Sequence, residues 1–242
     1  MKSDCEHYDR GVMSKPHGHS IDDYLEAIHI LVSPIGVYEP AKAPAAIAAR
    51  VAEALGVSRT AVGEMLKRLA AEGLLERGGG RELVLTPEGT RRAEKVIRRN
   101  RIVERFLVDF LDYDTAEAHE YAGRVGAAFT EDMVDRLHAK LGYPERCPHG
   151  WPVAPQQDRE ESRELVSLAD LAAGDAGEIV RLTEQDGGLL TWFAAEGLTP
   201  GAQVEVRDIQ PAAGHRKIQV GGGEQFIADR AARGLYVRRR ES

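Results

Sequence analysis

The segment from Ile47 to Leu85 constrains the fold more than any other part of the chain. Ile47, Val51 and Leu55 recur at helical spacing, with Pro44 placed to open that helix. Gly56-Val57 breaks the pattern, and Ser58 stands where it can cap a following helix from Arg59 to about Glu72. Val62, Leu66 and Leu69 give this helix one apolar face, and Gly73 ends it. Leu74-Leu75-Glu76-Arg77, three glycines, and Arg81-Glu82-Leu83-Val84-Leu85 then read as strand, tight turn, strand. Helix, turn, helix and hairpin in that order predict a winged helix-turn-helix.

That arrangement singles out residues for contact with duplex DNA. Ser58, Arg59 and Thr60 open the helix that would meet base edges, with Glu64 and Lys67 further along it. Arg77 and Arg81 flank the hairpin tip, suited to phosphate contact. The overall charge of −7 argues against a DNA binder, but the charge is unevenly spread. Lys42 to Arg105 holds fourteen basic and eight acidic residues, whereas Phe106 to Asp170 holds six and fourteen. One end of the molecule is therefore suited to attract phosphates.

The rest of the chain reads as mainly α with a small β part. Residues 1–19 are polar and aperiodic and are expected to form a flexible tail. Ser20 caps a helix beginning at Ile21, so the DNA-binding domain is set at 20–91. Thr86-Pro87 starts a long helix reaching about Leu111, and His119 to Leu141 reads as one further helical stretch. These make a helical domain at 92–150, followed by a linker at 151–165. Over 166–240, short β-type runs (Glu178–Leu182, Gln203–Ile209, Lys217–Val220, Leu235–Arg239) alternate with glycine-rich turns. One helix near Leu189 to Glu196 interrupts them, and the pattern predicts a small SH3-like barrel.

Several ordered segments resemble the diphtheria toxin repressor family of iron- and manganese-dependent regulators. They are Asp23-Tyr24-Leu25-Glu26-Ala27-Ile28, the run from Ile47 to Leu75, Leu83 to Gly89, Arg98 to Leu107, and Cys147-Pro148-His149-Gly150-Trp151-Pro152. The resemblance covers nearly everything after residue 19. It implies a winged helix-turn-helix, a helical dimerisation domain and a C-terminal SH3-like, FeoA-like barrel. It also implies a homodimer on a palindromic double-stranded DNA operator, repressing metal-homeostasis genes in response to Mn²⁺ or Fe²⁺.

The resemblance also points to metal ligands. Asp23 and Glu26 match carboxylate positions of the family's principal site, and their spacing puts both on one helix face. Its other half is missing: Gly123, Gly126 and Ala127 stand where donors are expected, and Asn100 replaces a histidine. Glu104 and His119 match an ancillary site, with Asp186 near the place where the barrel contributes a carboxylate. Cys147 and His149 read as part of a connecting turn.

No G-x-S-x-G, P-loop, G-x-G-x-x-G or H-E-x-x-H motif is present, so no enzyme is expected. Two distant cysteines, Cys5 and Cys147, suggest no disulfide framework, and a reducing cytoplasm is the expected compartment. No apolar run is long enough for a membrane span. Two alternatives stay open. One is a regulator of this fold that has lost its metal switch; the other is a protein-interaction module without specific DNA binding.

Overall fold

A computed structural model describes residues 19–32, 47–78, 83–184 and 187–240. The tail residues 1–18, Pro44, Arg81 and Asp186 lie outside the described residues.

The N-terminal unit packs three helices and a hairpin: α1 (Ile21–Val32), α2 (Ile47–Leu55), α3 (Arg59–Ala71), β1 (Leu75–Arg77) and β2 (Leu83–Leu85). Ser58 caps α3 by accepting a 3.1 Å hydrogen bond from the Ala61 N–H, and Gly56 takes the positive φ of the preceding turn. Leu25 and Ile28 of α1, Val51 of α2, and Val62 and Leu69 of α3 meet in one core with Leu74 and Leu75. The two strands pair antiparallel, Leu75 opposite Leu85.

Helix α4 (Pro87–Leu111) begins at the base of this hairpin and runs roughly 37 Å into the next unit. Thr86 caps it, accepting from the Gly89 N–H and donating its own hydroxyl to Gly73 O. A Cβ on Gly89 would lie 2.0 Å from Leu74 O, so only glycine lets the helix pack against the wing. Asp112, in the left-handed conformation, ends the helix.

The expected stretch from His119 to Leu141 is two helices, α5 (Thr115–Gly126) and α6 (Glu131–Lys140). Asp114 caps the first and Thr130 the second, each accepting from a backbone N–H three residues on. Both helices pack on α4, α5 against Val103 and Leu107 and α6 against Ile102. A short helix α7 (Asp158–Glu161) leads to the sheet.

The C-terminal unit contains β3 (Leu165–Ser167), β4 (Ala176–Leu182), α8 (Gly187–Ala195), β5 (Gln203–Gln210), β6 (His215–Val220), β7 (Gly223–Ala228), α9 (Asp229–Ala232) and β8 (Leu235–Arg239). Its antiparallel sheet has the order β3-β8-β4-β5-β6-β7 around a core that includes Phe193, Leu198, Ile218 and Val237. β3 and β7, the two edge strands, are additions to the sequence reading. β3 is too short for alternation to register, and β7 carries Glu224, Gln225 and an exposed Phe226. Among the described residues, no helix is long and apolar enough to cross a membrane.

The connector is stitched to this barrel. His149 O accepts from the Leu182 N–H, and Trp151 Nε1–H donates to Leu182 O at 2.8 Å. Gly150 has φ +87°, and a Cβ there would fall 1.9 Å from Val180 O. The Trp151 ring lies between the guanidiniums of Arg101 and Arg181, at 5.3 and 4.6 Å. Arg101 forms a two-pronged pair with Asp158, and Glu161 gathers Arg146, Arg181 and Arg238. Barrel, connector and α4 are thus joined by buried charge-assisted bonds.

Candidate metal centre and nucleic-acid interface

One turn of α4 separates two polar clusters that differ in kind. The first lies between α4 and α1. Asn100 Nδ2–H donates to both carboxylate oxygens of Glu26 at 3.0 Å. Burial pushes the Glu26 carboxyl up to about 7, only partly offset by that amide and by His119. Asp22, one turn earlier on α1, sits against Arg92 and Arg99 of α4.

Asp23 and Glu26 are not brought together as ligands. Asp23 faces the start of α1, where its carboxylate accepts from the Ser20 N–H at 2.8 Å and Ser20 Oγ accepts from the Asp23 N–H. This reciprocal pairing completes the helix cap. Opposite Glu26, α5 presents Gly123 and Gly126, followed by Ala127. A Cβ on Gly126 would come within 3.1 Å of Asn100 Oδ1. The residues of the family's principal site therefore do not fit a metal ion: the donors on one side are absent, and Glu26 is occupied by an amide.

The second cluster lies where α4, the connector and the end of β4 meet. Glu104, Cys147, His149 and Glu184 each offer one ligand atom, and these atoms all lie within 4.8 Å of one another. Glu104 and His149 are buried, Cys147 is 3 % exposed, and the Glu184 side chain is 10 % exposed. His149 Nε2–H donates to Thr115 O at 3.1 Å, which turns Nδ1 inward as the ring atom that can bind a metal ion. That nitrogen stands 3.4 Å from Glu104 Oε2 and 3.6 Å from Glu184 Oε1. Cys147 Sγ is 3.9 Å from it.

Glu104 Oε2 is buried, with His149 Nδ1 3.4 Å away and no hydrogen-bond partner among the described residues. A buried, unpartnered carboxylate oxygen is costly, and three further electron-pair donors point at the same place. Even with the Cys147 S–H donating to Glu184 Oε1 at 3.5 Å, acceptors outnumber protons here, the condition a divalent cation relieves. A mixed sulfur, nitrogen and oxygen set of four suits a first-row transition ion. These residues fit the group.

His119 lies beside this cluster, not within it. Its Nδ1–H donates to Glu104 Oε1 at 2.8 Å and its ring meets His149 edge to face. Burial works against the charged ring, but the Glu104 hydrogen bond outweighs it and holds the imidazole up at about 9. Burial pushes the Cys147 thiol well up, with Glu104 and Glu184 adding to the effect. Glu104 itself is held well below its usual range; burial opposes this and the two histidines outweigh it.

Of the expected ancillary set, Glu104 is central and His119 orients it, while Asp186 lies outside the described residues. The turn-only reading of Cys147 and His149 does not hold, since both side chains point into the cluster. Glu184, two residues before Asp186, was not anticipated. The connector supplied a signal in its Cys-Pro-His spacing. Nothing local in the sequence pairs it with carboxylates about forty residues away on either side.

Thr60, Glu64 and Lys67 lie on the side of α3 opposite the buried Val62, Leu66 and Leu69, and Ser58 and Arg59 are exposed at its start. Arg77 is exposed at the end of β1. The Ser58 hydroxyl is engaged in capping.

Two family models match the chain: the iron-dependent repressor metal binding and dimerisation domain over residues 86–154, and the FeoA domain over 166–239. The iron-dependent repressor IdeR of Mycobacterium tuberculosis is 34 % identical over 171 residues, which span 65 % of this chain and 74 % of that protein. The diphtheria toxin repressor of Corynebacterium efficiens is 28 % identical over 172 residues, spanning 65 % and 73 %. A solved manganese-dependent transcriptional repressor in complex with manganese matches with a TM-score of 0.78 at 28 % identity, over 91 % of this chain and 100 % of that one. Fold and matches together define a winged-helix transcriptional regulator carrying a FeoA domain. Within that class, the chain belongs to the iron-dependent repressor family.

Proposed function

We infer that this chain is a metal-responsive repressor that binds a palindromic DNA operator as a homodimer. The observation that carries the metal reading is the buried convergence of Glu104, Cys147, His149 and Glu184, with one Glu104 oxygen left unpartnered. These four would hold a divalent first-row ion, Fe²⁺ or Mn²⁺, whose charge offsets the two carboxylates. Cys147 would bind as a thiolate, so occupancy releases its proton, and a reducing compartment such as the cytoplasm keeps that sulfur available. Glu104 comes from α4, Cys147 and His149 from the connector, and Glu184 from the end of β4. A bound ion would therefore tie the barrel to the helix that carries the winged unit.

The DNA reading rests on the exposed polar residues Arg59, Thr60, Glu64 and Lys67 of α3 and on exposed Arg77 of the wing. In this reading residues 20–91 contact the operator and 92–150 form the dimer. Exposed Phe110 and Leu111 at the end of α4, with Met133 on α6, offer apolar surface for the second subunit. A second reading, DNA binding without metal control, is favoured by the direct Asn100–Glu26 bridge.

Calorimetry with Mn²⁺ and Fe²⁺, run in parallel with operator binding in chelator and in metal, tests both. The expected result is one tight site per chain, a proton released on binding, and at least tenfold tighter DNA binding with metal. Metal binding without a change in operator affinity selects the second reading. No metal binding overturns the first.

A further inference from the structure

We propose that the Glu64–Lys67 pair on α3 reads a single C·G base pair, Glu64 accepting from the cytosine amino group and Lys67 donating to the guanine. The proposal rests on the DNA-binding reading above and names the base that one position of that face selects.

Glu64 is the one acidic residue of α3, whose sequence is RTAVGEMLKRLAA. Its side chain is 70 % exposed and points away from the core, on the side that carries Thr60 and Lys67. A carboxylate on such a face is repelled by phosphates, which lie within a Debye length of any group in a groove. Only a hydrogen-bond donor on a base edge rewards it there. The major groove offers two, the N4 amino group of cytosine and the N6 amino group of adenine. Beside the adenine amino group lies N7, an acceptor that would face the second carboxylate oxygen. Beside the cytosine amino group there is no acceptor on the same base, so a carboxylate selects cytosine.

Lys67 completes the match. Its Nζ donates to Glu64 Oε1 at 2.8 Å, which leaves Glu64 Oε2 and two ammonium N–H groups free. The pair presents an acceptor beside a donor. A C·G pair presents, on its major-groove edge, the cytosine donor beside the guanine O6 and N7 acceptors. The i, i+3 spacing keeps both side chains on one strip of the helix surface. Being joined already, the two side chains lose less freedom on binding than two independent ones.

The test is selection from a randomised DNA duplex pool with the full-length, metal-loaded protein. Wild type, Glu64→Gln and Glu64→Ala are compared, and thermal melts confirm that these exposed substitutions leave the fold intact. The wild-type consensus should contain one C·G pair per half-site that responds to residue 64. Glu64→Gln, which offers both a donor and an acceptor, should move that base to adenine with at least a tenfold change in enrichment. Glu64→Ala should leave the position without preference, and all other positions should be unchanged. The same consensus from all three proteins overturns the proposal and leaves the pair as a helix-stabilising contact. No enriched duplex from any of them overturns the DNA-binding reading itself.

Discussion

Helix α4 touches two neighbours through polar side chains one turn apart, and the two contacts are opposites. Against α1, every carboxylate meets a donor: Asn100 spans both oxygens of Glu26, and Arg92 and Arg99 flank Asp22, leaving one donor (Arg99 Nε) and one acceptor (Asn100 Oδ1) without a partner among the described residues. Against the connector and barrel, acceptors outnumber donors: Glu104, Glu184 and His149 Nδ1 converge with the Cys147 thiol, whose one S–H reaches Glu184 Oε1 at 3.5 Å, and one Glu104 oxygen has no hydrogen-bond partner among the described residues. Residue types alone do not separate the two, since both have carboxylates close to α4. What separates them is the balance of donors and acceptors. A closed seam holds its elements together by itself, whereas an electron-rich one gains from a cation.

The largest expected effect breaks this comparison if it fails. Cys147→Ala should lower divalent-metal affinity about 100-fold, while Asp22→Asn on the closed seam should leave it within twofold. Calorimetry on both variants decides. Equal losses would mean that the α1 seam takes part in binding and that the contrast is false.

The contrast also explains which parts were legible in the sequence. The winged unit was readable because its signals are local: Ser58 caps within three residues, and Val62, Leu66 and Leu69 repeat at helical spacing. The closed state of the α1 seam was half readable, since Gly123, Gly126 and Ala127 plainly lack donors. The role of Asn100 was not, because its amide meets Glu26 across 74 residues of chain. The open cluster was the hardest. Glu104 was found because it matches an ancillary-site ligand of the resembled family, but Glu184 enters only from the residues after β4. Cys147 and His149 look like a turn because they are one. Gly150 fixes that turn, and the turn aims both side chains at Glu104. The break between α5 and α6 was missed for a related reason, as Thr130 capping competes with a periodicity that continues unchanged.

A medium effect sharpens the closed side. The Glu26 carboxyl sits at about 7 against an ordinary value of 4.5, chiefly through burial. Its folded value is raised, so its contribution to stability is complete below about 4.5 and is lost as pH climbs through about 7. With chelator present, the wild type should lose on the order of 2–3 kcal/mol across that window relative to Glu26→Gln. Gln keeps an acceptor for Asn100 but has nothing to ionise. Urea melts at several pH values measure this. Parallel pH profiles for the two proteins would show that Glu26 ionises freely and that the seam is wetter than its geometry implies.

The smallest effect concerns the outer edge of the same seam. Asp22 accepts from Arg92 Nε at 3.1 Å and lies 3.7 Å from Arg99 Nη2, but its side chain is 29 % exposed and that of Arg92 is 41 % exposed. Solvent and salt screen such a pair, so Asp22→Asn should cost about 1 kcal/mol or less, and less again at high ionic strength. Asn retains an oxygen that can accept from Arg92, which limits the loss further. Hydrogen exchange at the α1 amides is the more sensitive reading. If the seam closes mainly through the part-buried Glu26–Asn100 bridge, α1 protection should fall only slightly in Asp22→Asn and strongly in Asn100→Ala. The reverse order would place the hold on α1 in its exposed charges, and the closed seam would then be a salt-sensitive contact.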